Sequence, residues 1–463
     1  MQKRKRRFVC SVLLTACMAV LGYNTLVYAV SENGIPSVSD NTVSENLVRD
    51  TDRYTKEGEN TMVVQNEEIV EVPKLICTPA DVLVVLDPGH GGEDEGCARD
   101  GLLEKDINMQ ITKLVQEKLE EKGYRVLLTH ENDITYSCEE RVEKANIANA
   151  DIYVSIHQNA HETTAPSGIE VWYSQTGYGE ESEHLAKLLQ KYIIADTEAN
   201  DRGISETDAL YVIREADMPA CLVETGFLSN ASERRKLTDA QYQAQIAKGI
   251  ADAIDVYFFP KTMYLTFDDG PHPENTEMIL DVLKERDIKA TFFVIGENVE
   301  RYPEVVQRIA AEGHTIGIHC YNHDYNTLYA DADSFCEDFE KAHQLVYEVT
   351  GVDVRLFRFP GGSVNAYNEE VRNEIVACMT EQGYIYYDWN ASMEDAVSEP
   401  DMRVLLDNAT SSTLGRDKVI MLAHDIVGET AYCIGDVIDA FPEYKMQPLS
   451  TEVAPVQFNI CNS

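Results

Sequence analysis

Apolar residues along this chain fall into short runs, and most runs stop at a polar or glycine-rich tip. Val82 to Leu86 stops at Asp87-Pro88-Gly89-His90-Gly91-Gly92, Asp151 to Ile156 at His157-Gln158-Asn159, and Ala220 to Val223 at Glu224. Further on, Met263 to Phe267 stops at Asp268-Asp269-Gly270-Pro271. An apolar run closed by a turn reads as a buried strand ending in a loop. Between the runs lie stretches of helical spacing, such as Ile107, Ile111, Leu114, Val115 and Leu119, which Gly123 ends.

The first half of the pattern predicts strands at 82–86, 124–129, 151–156, 169–173, 209–213 and 220–223, with helices around 139–150, 181–194 and 239–257. After a join at Phe258-Phe259-Pro260-Lys261 the pattern restarts. It then predicts strands at 263–267, 290–295, 314–318, 354–359, 384–388 and 419–422, with helices that include 274–286 and 303–312. Such alternation predicts an α/β protein: an α/β sandwich with a mainly parallel sheet, followed by a distorted (β/α) barrel. At 463 residues the chain is long enough for two domains, each with its own core.

The N-terminus breaks the pattern. Lys3-Arg4-Lys5-Arg6-Arg7 precedes an apolar run from Phe8 to about Gly22, and Val27-Tyr28-Ala29 offers a cleavage site for a secretory signal peptide. Left uncleaved, residues 8–30 are long enough to anchor the chain in a bilayer. Leu14-Thr15-Ala16-Cys17 resembles a bacterial lipobox. All three readings export the chain, to the cell envelope or beyond it. Residues 30–75 are polar and without periodicity, with Val-Ser-Glu-Asn at 30–33 and again at 43–46, so they read as a flexible spacer. The expected organisation is a leader over 1–29, a linker over 30–78, domains over 79–258 and 259–452, and a tail over 453–463.

A formal charge of −41 argues against nucleic acid or anionic lipid as partner, because either would be repelled. Of the 11 cysteines, two lie in the leader. The nine that remain are odd in number and lack a Cys-x-x-Cys spacing, which argues against a disulfide framework or a cysteine zinc site.

The candidate chemistry sits at the strand tips. In the first domain His90, His157 and Glu224 end strands and Glu104 starts a helix. Two imidazoles and one carboxylate fill three positions of a tetrahedral zinc and leave the fourth for water, and a second glutamate then serves as general base. Against this stand a surface histidine in a loop and a first-turn acid favoured by the helix dipole. In the second domain His319 and His323 stand four apart, so one helical turn lets both grip one metal. Of Asp268 and Asp269, one carboxylate can bind a metal while its neighbour acts as base; the alternative is a turn in which both satisfy backbone donors. Arg358, Asp388-Trp389 and His424-Asp425 occupy three further strand tips.

These stretches carry two family resemblances. Residues 82–258 resemble the zinc-dependent N-acetylmuramoyl-L-alanine amidases through Asp87 to Gly92, Glu104-Lys105-Asp106-Ile107-Asn108, Ser155 to Ala160, Asn200 to Ile204 and Val223 to Asn230. The resemblance implies zinc on His90, Glu104 and His157, Glu224 as catalytic carboxylate, and cleavage of the bond between muramic acid's lactyl group and the first alanine of the stem peptide. Residues 262–450 resemble the polysaccharide deacetylases of the chitin-oligosaccharide type. This implies one divalent metal on Asp269, His319 and His323, for which zinc, cobalt, nickel and manganese all suit the donor set. It also implies Asp268 as base, His424 as acid, Arg358 orienting Asp268 and Asp388 tuning His424. Trp389 and Leu422 would wall the acetyl pocket, and the Gly361 backbone N–H would face the oxyanion. Where the family has Pro-Pro-Tyr-Gly, this chain has Phe359-Pro360-Gly361-Gly362 and no tyrosine side chain.

Together the two resemblances point to peptidoglycan as partner and to a bifunctional wall hydrolase. The first activity frees the lactyl carboxyl on O3 of muramic acid, and the second frees an amine on C2. The atoms between them close a six-membered ring, so the pair of reactions prepares a muramic lactam. The competing readings are a wall-attached chitin- or xylan-type deacetylase and a non-catalytic wall-binding protein.

Overall fold

The computed structural model describes residues 76–458. The leader and nearly all of the expected linker lie outside the described residues; among the described residues no helix is long and apolar enough to cross a membrane. The first half is a six-stranded sheet. Its strands are β1 (Leu83–Pro88), β2 (Arg125–Leu128), β3 (Ile152–Asn159), β4 (Ile169–Tyr173), β5 (Asp201–Glu206) and β6 (Ala220–Phe227), in the order β2-β1-β3-β6-β4-β5. All neighbours are parallel except β4 and β6. Every residue of β1 is buried, as expected of a strand covered on both faces. Helices α1 (Glu104–Glu121), α3 (Gly179–Thr197) and α4 (Ala240–Phe258) pack on one side, and α2 (Cys138–Ile147) lies on the other with Val142 and Ala145 against Leu83, Val85 and Tyr153.

One expected strand is absent. Residues Tyr211–Arg214 form a helical turn, with the consecutive side chains of Val212 and Ile213 both buried. A strand would point one of them outward. The sheet edge is taken instead by β5, Asp201–Glu206, none of whose residues is fully buried. An edge strand that is polar and partly exposed carries no apolar alternation, so the pattern passed over it.

The second half is an eight-stranded parallel sheet curled into a half-barrel. It contains β7 (Lys261–Asp268), β8 (Thr291–Ile295), β9 (Thr315–Cys320), β10 (Leu356–Phe357), β11 (Ile385–Tyr386), β12 (Ala391–Ser392), β13 (Lys418–His424) and β14 (Tyr444–Met446). The order is β11-β10-β9-β8-β7-β13-β12, with β14 also on β7. Among the described residues no ladder joins β11 to β12, so the distorted barrel stays open there. Helices α5 (Asn275–Glu285), α6 (Pro303–Ala311), α7 (Ala332–Thr350), α8 (Arg372–Glu381), α9 (Met402–Ser412) and α10 (Gly428–Asp439) wrap the outside. The core between the sheet and these helices is rich in aromatics, with the rings of Phe335, Phe339 and Phe359 each against Phe357.

The expected tail is part of this domain as far as the description runs. The Asp388 N–H donates to Val456 O at 2.8 Å, the Phe458 N–H donates to Asp388 Oδ2 at 2.7 Å, and the Phe458 ring meets Trp389 at 4.9 Å. The two halves also touch directly, where Lys191 of α3 donates to Glu443 at 2.6 Å and to Ala440 O at 2.8 Å.

A buried ion pair locks the end of β1. Arg141 of α2 donates to Asp87 Oδ1 at 2.8 Å and to Pro88 O at 2.8 Å, while Thr129 and Ser155 donate to the same carboxylate at 2.6 and 2.7 Å. Burial alone would raise the Asp87 pKa, but the Arg141 charge and the three donors hold it below the usual carboxylate value. A carboxyl depressed in the folded state stabilises fully above its unfolded pKa and loses that stabilisation as pH falls through the folded value. Arg141→Ala leaves that carboxylate buried and unpaired. It should cost about 3–5 kcal/mol in denaturant unfolding at pH 7, with the deficit shrinking as pH falls and the unpaired Asp87, raised by burial once the arginine is gone, takes up a proton.

Candidate active sites

Two parallel strand ends meet the start of α1. His90 follows β1, His157 lies near the end of β3 and Glu104 opens α1. His90 Nε2 and His157 Nδ1 each stand 3.1 Å from Glu104 Oε1, and the three ligand atoms all lie within 4.8 Å of one another. The approach needs space: a methyl group on Gly89 would run into the His157 ring, and one on Gly96 would come within 2.6 Å of Glu104 Oε2. His90 itself takes a left-handed backbone (φ 66°), which costs a non-glycine residue about 1–3 kcal/mol. Asp94 accepts from or shares a proton with His90 Nδ1 at 2.9 Å, which fixes the ring with Nε2 toward the centre.

Glu224 faces His157 across the β3–β6 ladder and Glu170 across the β6–β4 ladder. Its Oε2 is buried without a hydrogen-bond partner. Burial pushes its pKa up to about 7, against the opposing pull of His157. Two imidazoles and a carboxylate converging beside an unsatisfied buried carboxylate fit a divalent ion with a neighbouring base.

The second cluster is built the same way. Asp269 follows β7 with φ 76°, and its Oδ1 lies 3.3 Å from His319 Nε2 and 3.4 Å from His323 Nε2. That oxygen is buried yet makes no hydrogen bond, so the three atoms converge on a shared point rather than on each other. His319 Nδ1 bonds the Arg358 carbonyl at 2.9 Å, which directs Nε2 inward. Asp268 is buried, and Arg358 donates to its Oδ1 at 2.8 Å. Burial outweighs the Arg358 charge and raises Asp268 to about 6. His424 sits level with Asp268 on the adjacent strand.

The structure corrects one assignment. The carboxylate on His424 is Asp395, at 2.7 Å from Nδ1, and it also accepts from the His424 N–H at 2.8 Å and from the Thr430 hydroxyl at 2.6 Å. Burial would lower His424, but this carboxylate carries it up to about 9. Asp388, expected in that place, accepts from the Ser363 N–H and hydroxyl and from the Phe458 N–H. Its side chain therefore ties the 360–363 loop and the C-terminal segment to the strand end. Asp395 lies just past the short β12, with no motif spacing to mark it. Gly361 (φ 71°) lies beneath Tyr325, whose hydroxyl would stand 3.0 Å from a Cβ there. The Trp389 ring edge approaches Gly362, and Leu422 is nearly buried on β13 beside Thr266. Asp94, Glu170 and Tyr325 also escaped the sequence reading, although Asp94 stands only four residues beyond His90 in the same loop.

Comparison with known proteins covers both halves. The N-acetylmuramoyl-L-alanine amidase family matches residues 84–256, and the polysaccharide deacetylase family matches residues 258–380. The N-acetylmuramoyl-L-alanine amidase LytC of Bacillus subtilis is 39% identical over 207 residues, which is 44% of this chain and 42% of that protein, so the chain spans less than half of this relative. The germination-specific N-acetylmuramoyl-L-alanine amidase of the same organism is 33% identical over 39% of this chain and 81% of its own length. The solved catalytic domain of peptidoglycan N-acetylglucosamine deacetylase from Eubacterium rectale is 32% identical over 44% of this chain and 94% of its own, with a TM-score of 0.42.

Two outcomes follow from the geometry. Metal analysis of zinc-loaded protein should find two ions per chain, with one lost in His157→Ala and the other in His319→Ala. In the metal-free protein, a histidine titration followed by NMR should place His424 near 9, and Asp395→Asn should lower it, with Asp268 and Asp269 still opposing the effect of burial.

Proposed function

The chain belongs to the N-acetylmuramoyl-L-alanine amidase and polysaccharide deacetylase families, and from that premise we propose that it is a bifunctional peptidoglycan hydrolase. Its first half cuts the bond between the lactyl group of muramic acid and the first alanine of the stem peptide. Its second half removes N-acetyl groups from the aminosugars of the same glycan. The observation that carries this reading is that each half keeps a full set, three convergent metal ligands plus a buried carboxylate of raised pKa. A scaffold that only binds wall has no use for two such costly arrangements.

His90, Glu104 and His157 would hold the first ion, zinc by the tetrahedral nitrogen–oxygen donor set, and Asp269, His319 and His323 the second. When bound, such an ion polarises the scissile carbonyl and makes a water acidic enough to attack it. Glu224, raised to about 7, takes the proton of the attacking water and delivers it to the departing alanine nitrogen. In the second site Asp268 and His424 divide those tasks. Their environments set them apart, Asp268 at about 6 and His424 at about 9, so near neutral pH one is a base and the other an acid. Asp268 takes the water's proton with Arg358 fixing its Oδ1, and His424 protonates the leaving amine with Asp395 behind it. Trp389 and Leu422 wall the acetyl group, and the Gly361 N–H faces the oxyanion. Asp388 supports that wall through Ser363 and Phe458.

Acting in turn on one muramic acid, the two halves leave a free carboxyl and a free amine whose joining closes a six-membered ring, the precursor of a muramic lactam. Deacetylation of glucosamine is the second reading, favoured by the name of the Eubacterium rectale relative.

Glu224→Gln should lower stem-peptide release by about 10²–10⁴ and leave acetate release intact, and Asp268→Asn should do the reverse. Both products are read from one digest of purified peptidoglycan. Loss of both activities in either variant, or of neither, would show that the sites are not the two independent catalysts described. Asp395→Asn should also pull the alkaline limb of acetate release down in pH, because His424 then loses its proton earlier.

A further inference from the structure

Cys336 lies in the second turn of α7, and Cys378 lies in α8 near its C-terminal end. Their Sγ atoms stand 2.9 Å apart. Non-bonded carbon atoms prefer about 3.5–4.0 Å, and sulfur is larger, so these two are closer than a relaxed contact between thiols. Neither side chain is sealed in the core: both are half-buried, and the exposed Gln382 donates to Cys378 Sγ at 3.2 Å. Cys336 also lines a surface cavity of about 400 Å³ with Asp333, Glu337 and Glu340. By contrast Cys221 and Cys320 are buried singly within strands. No third ligand accompanies the pair, since the groups of three metal-ligating side chains among the described residues are those of the two active sites. The pair is thus placed for a covalent bond and not for a metal.

We propose that Cys336 and Cys378 form a disulfide when the protein is in an oxidising compartment. The bond would staple α7 to α8 across the edge of the half-barrel. The segment it closes contains β10, Arg358 and the 360–363 loop, so it encircles the residues that fix Asp268 and line the acetyl pocket. The reaction is thiol–disulfide exchange with a small disulfide. One protein thiolate attacks it, forms a mixed disulfide and expels the first small thiol. The other protein sulfur then attacks the mixed disulfide, closes the Cys336–Cys378 bond and expels the second. Two protein thiols are oxidised, one small disulfide is reduced to two thiols, and no electrons are left over. Burial and the adjacent Cys378 sulfur hold the Cys336 thiol above its ordinary pKa, so the exchange is faster at alkaline pH, where more thiolate forms.

The test uses the full chain incubated with hydroxyethyl disulfide, then denatured, alkylated and cut without reduction. The expected product is a peptide pair joining Cys336 to Cys378, lighter by two hydrogens than the two peptides together, with neither cysteine alkylated. Oxidation should raise the Tm of the deacetylase half by roughly 5–10 °C, an increase reversed by reductant and missing from Cys336→Ser and Cys378→Ser. Alkylation of both cysteines in the oxidised protein, linkage of either to a different cysteine, or an equal Tm rise in the serine variants would overturn the proposal. Nothing in the readout depends on catalysis, so its failure leaves the hydrolase reading untouched.

Discussion

Each half of this protein is held by an arginine and an aspartate that share a buried ion pair at the end of a central parallel strand. Removing both charges from water is costly, and the pair stands only because nearly every polar atom finds a partner. Arg141 serves Asp87 and the carbonyls of Pro88 and His90, while Arg358 serves Asp268, Thr266 and the carbonyls of Tyr387 and Asp388. The two pairs end in opposite states. Asp87 has Thr129 and Ser155 as further donors and is held ionised below its ordinary pKa, so it is structural. Asp268 has fewer donors at equal burial, faces Asp269 as a like charge, and is raised. Leaving one buried carboxylate less satisfied than its counterpart is what gives the two their opposite shifts.

Around these locks both sites follow one plan. A strand end turns through a left-handed, non-glycine residue, His90 or Asp269, and that residue belongs to the cluster of candidate metal ligands. The strain is local and is tolerated because the neighbouring strands over-determine the loop. Two further ligands arrive from other elements, and a buried carboxylate of raised pKa stands beside them. The C-terminal edge of a parallel sheet makes this economical, since successive strands present their loops to the same side.

Most of the candidate ligands stood out because they lie at or just past a strand tip, where an apolar run stops on a histidine or a carboxylate; Glu104 opens a helix instead. The half-barrel and the sandwich were legible from the same alternation. What escaped had no such marker. Asp395 reaches His424 from past a two-residue strand, so neither periodicity nor spacing announces it, and Asp388, at a proper strand tip, attracted the role instead. The edge strand 201–206 is too polar and exposed to read as a strand, whereas the apolar Val212 and Ile213 imitate one from within a helical turn. Residues 453–458 look like a tail because they lack an element of their own, yet backbone hydrogen bonds to Asp388 dock them on the deacetylase site.

The central claim is that both halves work on one polymer, and the fate of muramic acid tests it most directly. Purified peptidoglycan treated with the metal-loaded chain is cut by a muramidase and its fragments are read by mass spectrometry. The account predicts disaccharides that have lost both stem peptide and acetyl group, with the acetyl missing from the denuded muramic acid and part of that sugar closed to lactam. Fragments that keep every acetyl group, or that keep every stem peptide, would contradict it.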